Sequence, residues 1–279
     1  MSLAAIRPYS ESPPAATAGP ERVELLGMPL DAVTEAEALE VLTGRLSRGQ
    51  GSWVITPNLD ILRQFHKRPG IKPLFLGKGA ADLFLPDGMP LIWSSRIARL
   101  GRNGRGLPER VPGSGLVFSL AKRAAEKGWR LYLLGGATGA AAAAATELTR
   151  RYPGLVIAGT DCPAVGFEKE AGAMAAVEAK LVAARPDIVY VALGFPKQEF
   201  VTQRLRPLLP RAAFLGIGIS LSFIAGHVRR APRWVQRAGL EWVHRMMQEP
   251  SRLMRRYLIE DAPFALRHLL PHALRRRWG

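Results

Sequence analysis

The chain has 279 residues, 48% of them apolar and 22% charged, which supplies a buried core and excludes a wholly disordered chain. Its formal net charge of +16 predicts attraction to phosphate-rich partners or anionic lipid and says nothing about the fold. A single cysteine, Cys162, excludes an intrachain disulfide, fits a reducing compartment and reads as a small buried apolar residue.

In chain order, residues 1–21 show no basic start followed by an apolar run, so they read as a flexible Ser/Pro/Ala leader rather than a signal peptide. Trp53–Thr56, Trp129–Gly136, Leu155–Gly159, Asp187–Gly194 and Ala212–Ile219 read as strands buried on both faces. Gly115–Lys127, Gly139–Tyr152, Lys169–Ala184 and Lys197–Leu205 have helical spacing between them. The alternation predicts an α/β fold over 22–225, a Rossmann-like, mostly parallel sheet with helices on both faces. The longest uncharged stretches, Leu131–Thr146 and Ala212–Val228, fall short of the ~20 mostly apolar residues that span a bilayer.

From residue 226 to 279 the pattern changes to a C-terminal basic helical appendage: two or three short helices punctuated by Pro232, Pro250, Pro263 and Pro271. This segment holds 12 arginines and no lysine against four acids. Helical spacing gathers Leu253, Met254, Tyr257 and Leu258 on one side and Arg252, Arg255 and Arg256 toward the other. Arg245, Arg252 and Arg255 recur on one face if the break at Pro250 is mild. Fixed positive charge beside apolar surface suits an interfacial membrane contact or a diphosphate; no familiar nucleic-acid-reading module is present.

Ligands in such sheets bind beyond the carboxyl ends of the strands, so polar residues there are the candidates. Thr56 and Asn58 follow the first strong strand, where Asn58 also suits the cap of a helix starting at Leu59. Asp87 sits in a Pro-Asp-Gly turn and suits a general base. Gly135, Gly136 and Gly139 form a turn opening a helix, where a phosphate could rest, and Asp161 follows as a ribose-binding acid would. Lys197, Gln198 and Glu199 open a helix at a strand end; the Gln198 amide suits a sugar hydroxyl or a base. The five histidines make no metal site: His268 and His272 flank Pro271 without a suitably spaced carboxylate or cysteine.

The ordered motifs resemble the WecG/TagA/CpsF glycosyltransferases over roughly Val23 to Leu258. They are Thr56-Pro57-Asn58, Asp87-Gly88, Arg110-Val111 with Gly113, Gly194-Phe195-Pro196-Lys197-Gln198-Glu199 and Gly216-Ile217-Gly218. The tail adds Arg230-Ala231-Pro232-Arg233-Trp234, Gly239-Leu240-Glu241-Trp242, Arg245, Glu249-Pro250 and Arg252. The resemblance implies an inverting transferase needing no metal or other cofactor. It would move a sugar from a UDP-sugar donor to a polyprenyl-diphosphate-linked glycan acceptor at the inner face of the cell membrane. It implies Asp87 as base, Thr56, Asn58 and Gln198 around the sugar and nucleotide, and Arg110 at acceptor or diphosphate charge. Arg245, Arg252 and Arg255 would close over the site and stabilise departing UDP. Ser222 stands where the family often has an acid, so N-acetylmannosaminyl, N-acetylmannosaminuronyl and glucosyl transfer stay open. So do the oligomeric state, including a homo-oligomer, and two rival readings: an NAD-dependent oxidoreductase, and a non-catalytic membrane or nucleic-acid adaptor.

Overall fold

The computed structural model describes residues 19–99, 106–227, 232, 235, 241–248 and 250–278. Most of the leader 1–21, most of the motif residues 230–234 and the side chains of Arg245 and Arg252 lie outside that description.

The chain enters through an antiparallel hairpin that the sequence patterns did not reveal, β1 (Arg22–Leu25) and β2 (Met28–Asp31). Its two turn residues, Leu26 and Gly27, both take positive φ, 51° and 81°, the twist that a two-residue hairpin turn demands. The helix α1 (Glu35–Ser47) then opens on a capping box: the Thr34 hydroxyl accepts from Glu37 N–H, and the Glu37 carboxylate accepts from Thr34 N–H.

The main sheet comprises β3 (Ser52–Ile55), β4 (Leu83–Phe84), β5 (Arg130–Gly135), β6 (Val156–Asp161), β7 (Ile188–Ala192) and β8 (Ala213–Gly216). Its order is β4-β3-β8-β7-β5-β6, and every neighbouring pair is parallel. The connecting helices are α2 (Leu59–Lys67), α3 (Met89–Arg99), α4 (Gly113–Lys127), α5 (Ala140–Arg151), α6 (Ala171–Ala184), α7 (Lys197–Leu205) and α8 (Ser220–Ile224). Alternate strand residues feed two cores, as the two-residue repeat of a strand requires. Trp53, Ile55, Leu134, Val189 and Phe214 pack in one core with residues of α2, α3, α6 and α7. Val54, Leu133, Ile188, Tyr190 and Leu215 pack in the other with residues of α1, α4, α5 and α8. Helices therefore cover both faces. The order is not the 3-2-1-4-5-6 of dinucleotide-binding folds.

Two expectations fail at the sheet's margin. β6 is an edge strand, half-buried or exposed throughout, rather than buried on both faces. Cys162, just past its end, is exposed rather than core, with its thiol 3.3 Å from Gly136 O. An edge strand has a neighbour on one side only, so the residues trailing it meet solvent.

The C-terminal segment also departs from expectation. After α9 (Glu241–Gln248), the backbone stays helical from residue 250 to 278 instead of breaking at Pro263 and Pro271. Wide π turns at Arg255–Asp261 and Ala265–Leu269 precede the two prolines. Proline removes one helical hydrogen bond and crowds the carbonyl a turn earlier, and a widened turn accommodates both. The segment lies on the body: Phe264 and Leu269 join the first core, and Leu26 N–H donates to His272 Nε2 at 3.3 Å. Arg63 of α2 pairs with Asp60, with Glu260 at 2.8 Å and with Asp261 at 2.8 Å, and Arg256 reaches Asp60 at 3.2 Å. The facial division expected from spacing is accordingly wrong for three residues. Arg256 turns inward to the carboxylates, while Met254 and Leu258 face solvent.

Candidate active site

Four strands, β4, β3, β8 and β7, end side by side, and the loops leaving them are laced by backbone hydrogen bonds. Asp87 N–H donates to Pro57 O at 2.7 Å, and Val111 N–H donates to Pro86 O at 2.8 Å. These two bonds bring the turn after β3, the turn after β4 and the approach to α4 together, and with them Asn58, Asp87 and Arg110. Asn58 caps α2, its Oδ1 accepting from Ile61 N–H at 3.0 Å, while Gly88 lies against it. Thr56 Oγ1 donates to Gly216 O at 3.3 Å, tying β3 to β8. A β-carbon on Gly113 would come within 3.3 Å of that hydroxyl, so the start of α4 approaches closely only because it is glycine. Thr56, Asn58, Asp87 and Arg110 are all half-buried, so each keeps some surface open to a ligand.

Arg110 occupies the centre of the charge pattern. Its Nη1 stands 2.9 Å from Glu241 Oε2 and 3.8 Å from Asp87 Oδ1. Glu241 opens α9, so the C-terminal segment reaches the cleft through a carboxylate, a residue that belongs to a sequence motif but carried no role there. The one local signal is an acid in the first turn of a helix.

Beneath the cleft, Gln198 is only 4% exposed and Glu199 1%. Gly218 N–H donates to Gln198 Oε1 at 3.2 Å, and Gln198 Nε2 donates to Glu199 Oε1 at 2.9 Å. Burial pushes the Glu199 carboxyl up to about 8 against the lowering effect of the Gln198 hydrogen bond. Glu199 is the second residue to which the sequence alone gives no role, because burial under a strand end leaves no mark in local spacing.

The remaining candidates are more scattered. Gly135, Gly136 and Gly139 all take positive φ, and a β-carbon on Gly135 would lie 2.7 Å from Ala192 O. The Gly136 N–H is already committed to Ala192 O at 2.8 Å, so that donor is spent on the sheet rather than on a phosphate. This loop follows β5, four strand positions and therefore about 19 Å from β4. Asp161, the acid of the dinucleotide reading, pairs with Lys180 at 3.1 Å. Ser222 is buried within α8. Arg255 is 77% exposed and 3.6 Å from Glu260, so the structure does not bring it to Asp87. A depression of about 330 Å³ opens between α2 and the C-terminal segment, where Arg63 pairs with Asp60 and Glu260 and Arg256 pairs with Asp60. The strand-end site is the better candidate because ligands of parallel sheets bind beyond the carboxyl ends of the strands.

The sequence profile of the glycosyl transferase WecG/TagA/CpsF family matches residues 23–278. A Bacillus spizizenii protein named N-acetylglucosaminyldiphosphoundecaprenol N-acetyl-beta-D-mannosaminyltransferase is 32% identical over 213 residues, 76% of this chain and 77% of that protein. A Bacillus subtilis protein of the same name is 32% identical over 176 residues, 63% of this chain and 64% of the relative. The matched span runs from the hairpin through the strand-end cleft to the C-terminal helix, and the chain belongs to the WecG/TagA/CpsF glycosyl transferase family.

Proposed function

We propose that this protein transfers a sugar from a UDP-sugar to a sugar carried on a polyprenyl diphosphate, inverting the anomeric carbon and requiring no metal ion. The observation that carries the reading is the Asp87–Arg110–Glu241 constellation at the joined ends of β3 and β4, a half-buried carboxylate beside a half-buried guanidinium. The names of the two relatives support a polyprenyl-diphosphate-linked acceptor.

In this mechanism the acceptor hydroxyl attacks the anomeric carbon from the face opposite the diphosphate. Asp87 takes the hydroxyl proton as the new C–O bond forms. The bond to the diphosphate oxygen breaks with its electron pair, and UDP departs. Positive charge must stand where that charge develops, and guanidinium groups supply it in the role that other transferases give to a cation. Arg110 is one such group. Arg245 and Arg252 of the C-terminal segment are the proposed others, and Arg255 joins them by leaving Glu260. Thr56, Asn58 and the Gln198 amide line the donor side. Ser222 replaces an acid and sets donor choice among N-acetylmannosaminyl, N-acetylmannosaminuronyl and glucosyl groups.

The membrane enters through the outer side of the segment 250–278. Ile259 and Leu266 are 70% and 66% exposed, among the exposed Arg255, Arg267 and Arg275. Apolar side chains interleaved with arginine suit the headgroup boundary of an anionic bilayer, at the inner face where a nucleotide-sugar is available. Among the described residues no helix is long and apolar enough to cross a membrane.

The test is a screen of radiolabelled UDP-sugars with short-chain polyprenyl-diphosphate-sugar acceptors, with and without EDTA. Transfer that survives EDTA is the expected result. No transfer from any UDP-sugar, with NAD rather than UDP raising the melting temperature, overturns the reading.

A further inference from the structure

We propose that Glu199 is a positioning residue: from beneath the cleft it holds the Gln198 amide in the one orientation that leaves an N–H for the sugar donor. This rests on the glycosyl-transfer reading above.

The orientation follows from donors and acceptors. Gly218 N–H can only donate, so the amide atom facing it at 3.2 Å must be the oxygen. The nitrogen then faces Glu199 Oε1 at 2.9 Å, and Glu199 must present an acceptor there. One amide hydrogen remains. The pair is pressed against β8: a β-carbon on Gly216 would lie 2.5 Å from Gln198 Nε2 and 2.8 Å from Glu199 Oε1. Glycine at 216 is thus what admits the pair under the strand end, and the carbonyl of the same residue accepts from Thr56, another donor-side candidate. Gln198, Glu199, Gly216, Gly218 and Thr56 form one unit.

The second Glu199 oxygen is buried and makes no hydrogen bond. A carboxylate would place charge on that oxygen with nothing to answer it, whereas the neutral acid does not. Burial, the Gln198 amide and the residue's own backbone N–H set its acidity, and no charged side chain contributes. α7 packs on β7, β8 and the turns Pro69–Leu74 and Arg206–Leu208, and Gly216 of β8 lies against Glu199. The charged side chains of those two turns have other partners, Lys72 standing 5.8 Å over the Phe65 ring and Arg206 pairing with Asp82 at 2.9 Å. The proton is therefore held at neutral pH and lost as the pH rises through about 8. Above that point the unit loosens and donor binding weakens.

The experiment measures UDP affinity by calorimetry and donor and acceptor KM by turnover. It compares wild type, Glu199→Leu and Glu199→Gln between about pH 6.5 and 9. Glu199→Leu is expected to raise donor KM about tenfold while acceptor KM stays within about twofold, the size of one lost positioning hydrogen bond. Glu199→Gln, neutral at every pH, is expected to recover most of that loss at pH 7. It is also expected to remove the fall in UDP affinity that wild type shows through pH 8. Equal donor KM in all three proteins, or an alkaline fall shared by wild type and Glu199→Gln, overturns the positioning role. A wild type that neither binds UDP nor transfers from any UDP-sugar overturns the functional reading, and this inference with it.

Discussion

Asp87 is a half-buried carboxylate beside a guanidinium, and its backbone N–H is anchored on Pro57 O. Because its turn is held by the main chain, Asp87→Asn is expected to remove the proposed base without moving the loop. Turnover is expected to fall by about 10²–10⁴ with UDP affinity changed by no more than about threefold, read from steady-state kinetics and calorimetry. Asn58 has a separable structural duty as the cap of α2. Asn58→Ala is expected to lower stability by about 1 kcal/mol in a denaturant titration. Turn chemistry made Asn58 and Asp87 legible in the sequence, since Pro-Asn and Pro-Asp-Gly mark strand exits. Glu199 was legible only as one of three polar residues opening a helix at a strand end, and Glu241 only as a motif residue, neither with a role of its own. The first is set apart only by its burial under β8, and the second only by its contact with Arg110, a residue 131 positions away.

At the scale of elements, the buried strands were legible because a short, continuous apolar run between helical patterns suits a strand covered on both faces and little else. The hairpin β1–β2 escaped because Arg22, Glu24, Pro29 and Asp31 interrupt its strands, which therefore show no continuous apolar run. The C-terminal helix escaped because proline ordinarily stops a helix, whereas here π turns carry it through Pro263 and Pro271. Its fastening is an ion cluster in which Arg63 is 12% and Asp261 4% exposed at the side chain. Burial holds the Asp261 carboxyl above its usual range even with Arg63 bonded to it. Arg63→Met would strand that carboxylate without its main partner. A loss of about 3 kcal/mol is expected by chemical denaturation, together with faster proteolysis of the segment 250–278.

For the whole molecule, the exposed side of that segment is the proposed membrane surface. Ile259→Asp with Leu266→Asp removes two exposed apolar anchors, each worth about 2 kcal/mol when buried. Sedimentation with anionic vesicles is expected to fall at least tenfold while UDP affinity is unchanged. Global stability should also track the buried proton of Glu199. Its folded-state value of about 8 lies above the ordinary 4.5. The contribution of that proton is complete below the ordinary value and lost as the pH rises through about 8. Melting temperature is expected to decline over that window in wild type, with a shallower decline in Glu199→Gln.

By itself the sequence determined the α/β class, the strand ends that carry the candidate site residues and the basic character of the C-terminus. All three follow from local periodicity, turn chemistry and charge, which neighbouring residues carry among themselves. Only the tertiary structure decided which acids matter around the cleft and which side of the C-terminal helix faces out. Those outcomes depend on burial and on partners far apart in the chain, as when Arg256 turns inward to Asp60 and leaves Leu258 to the solvent.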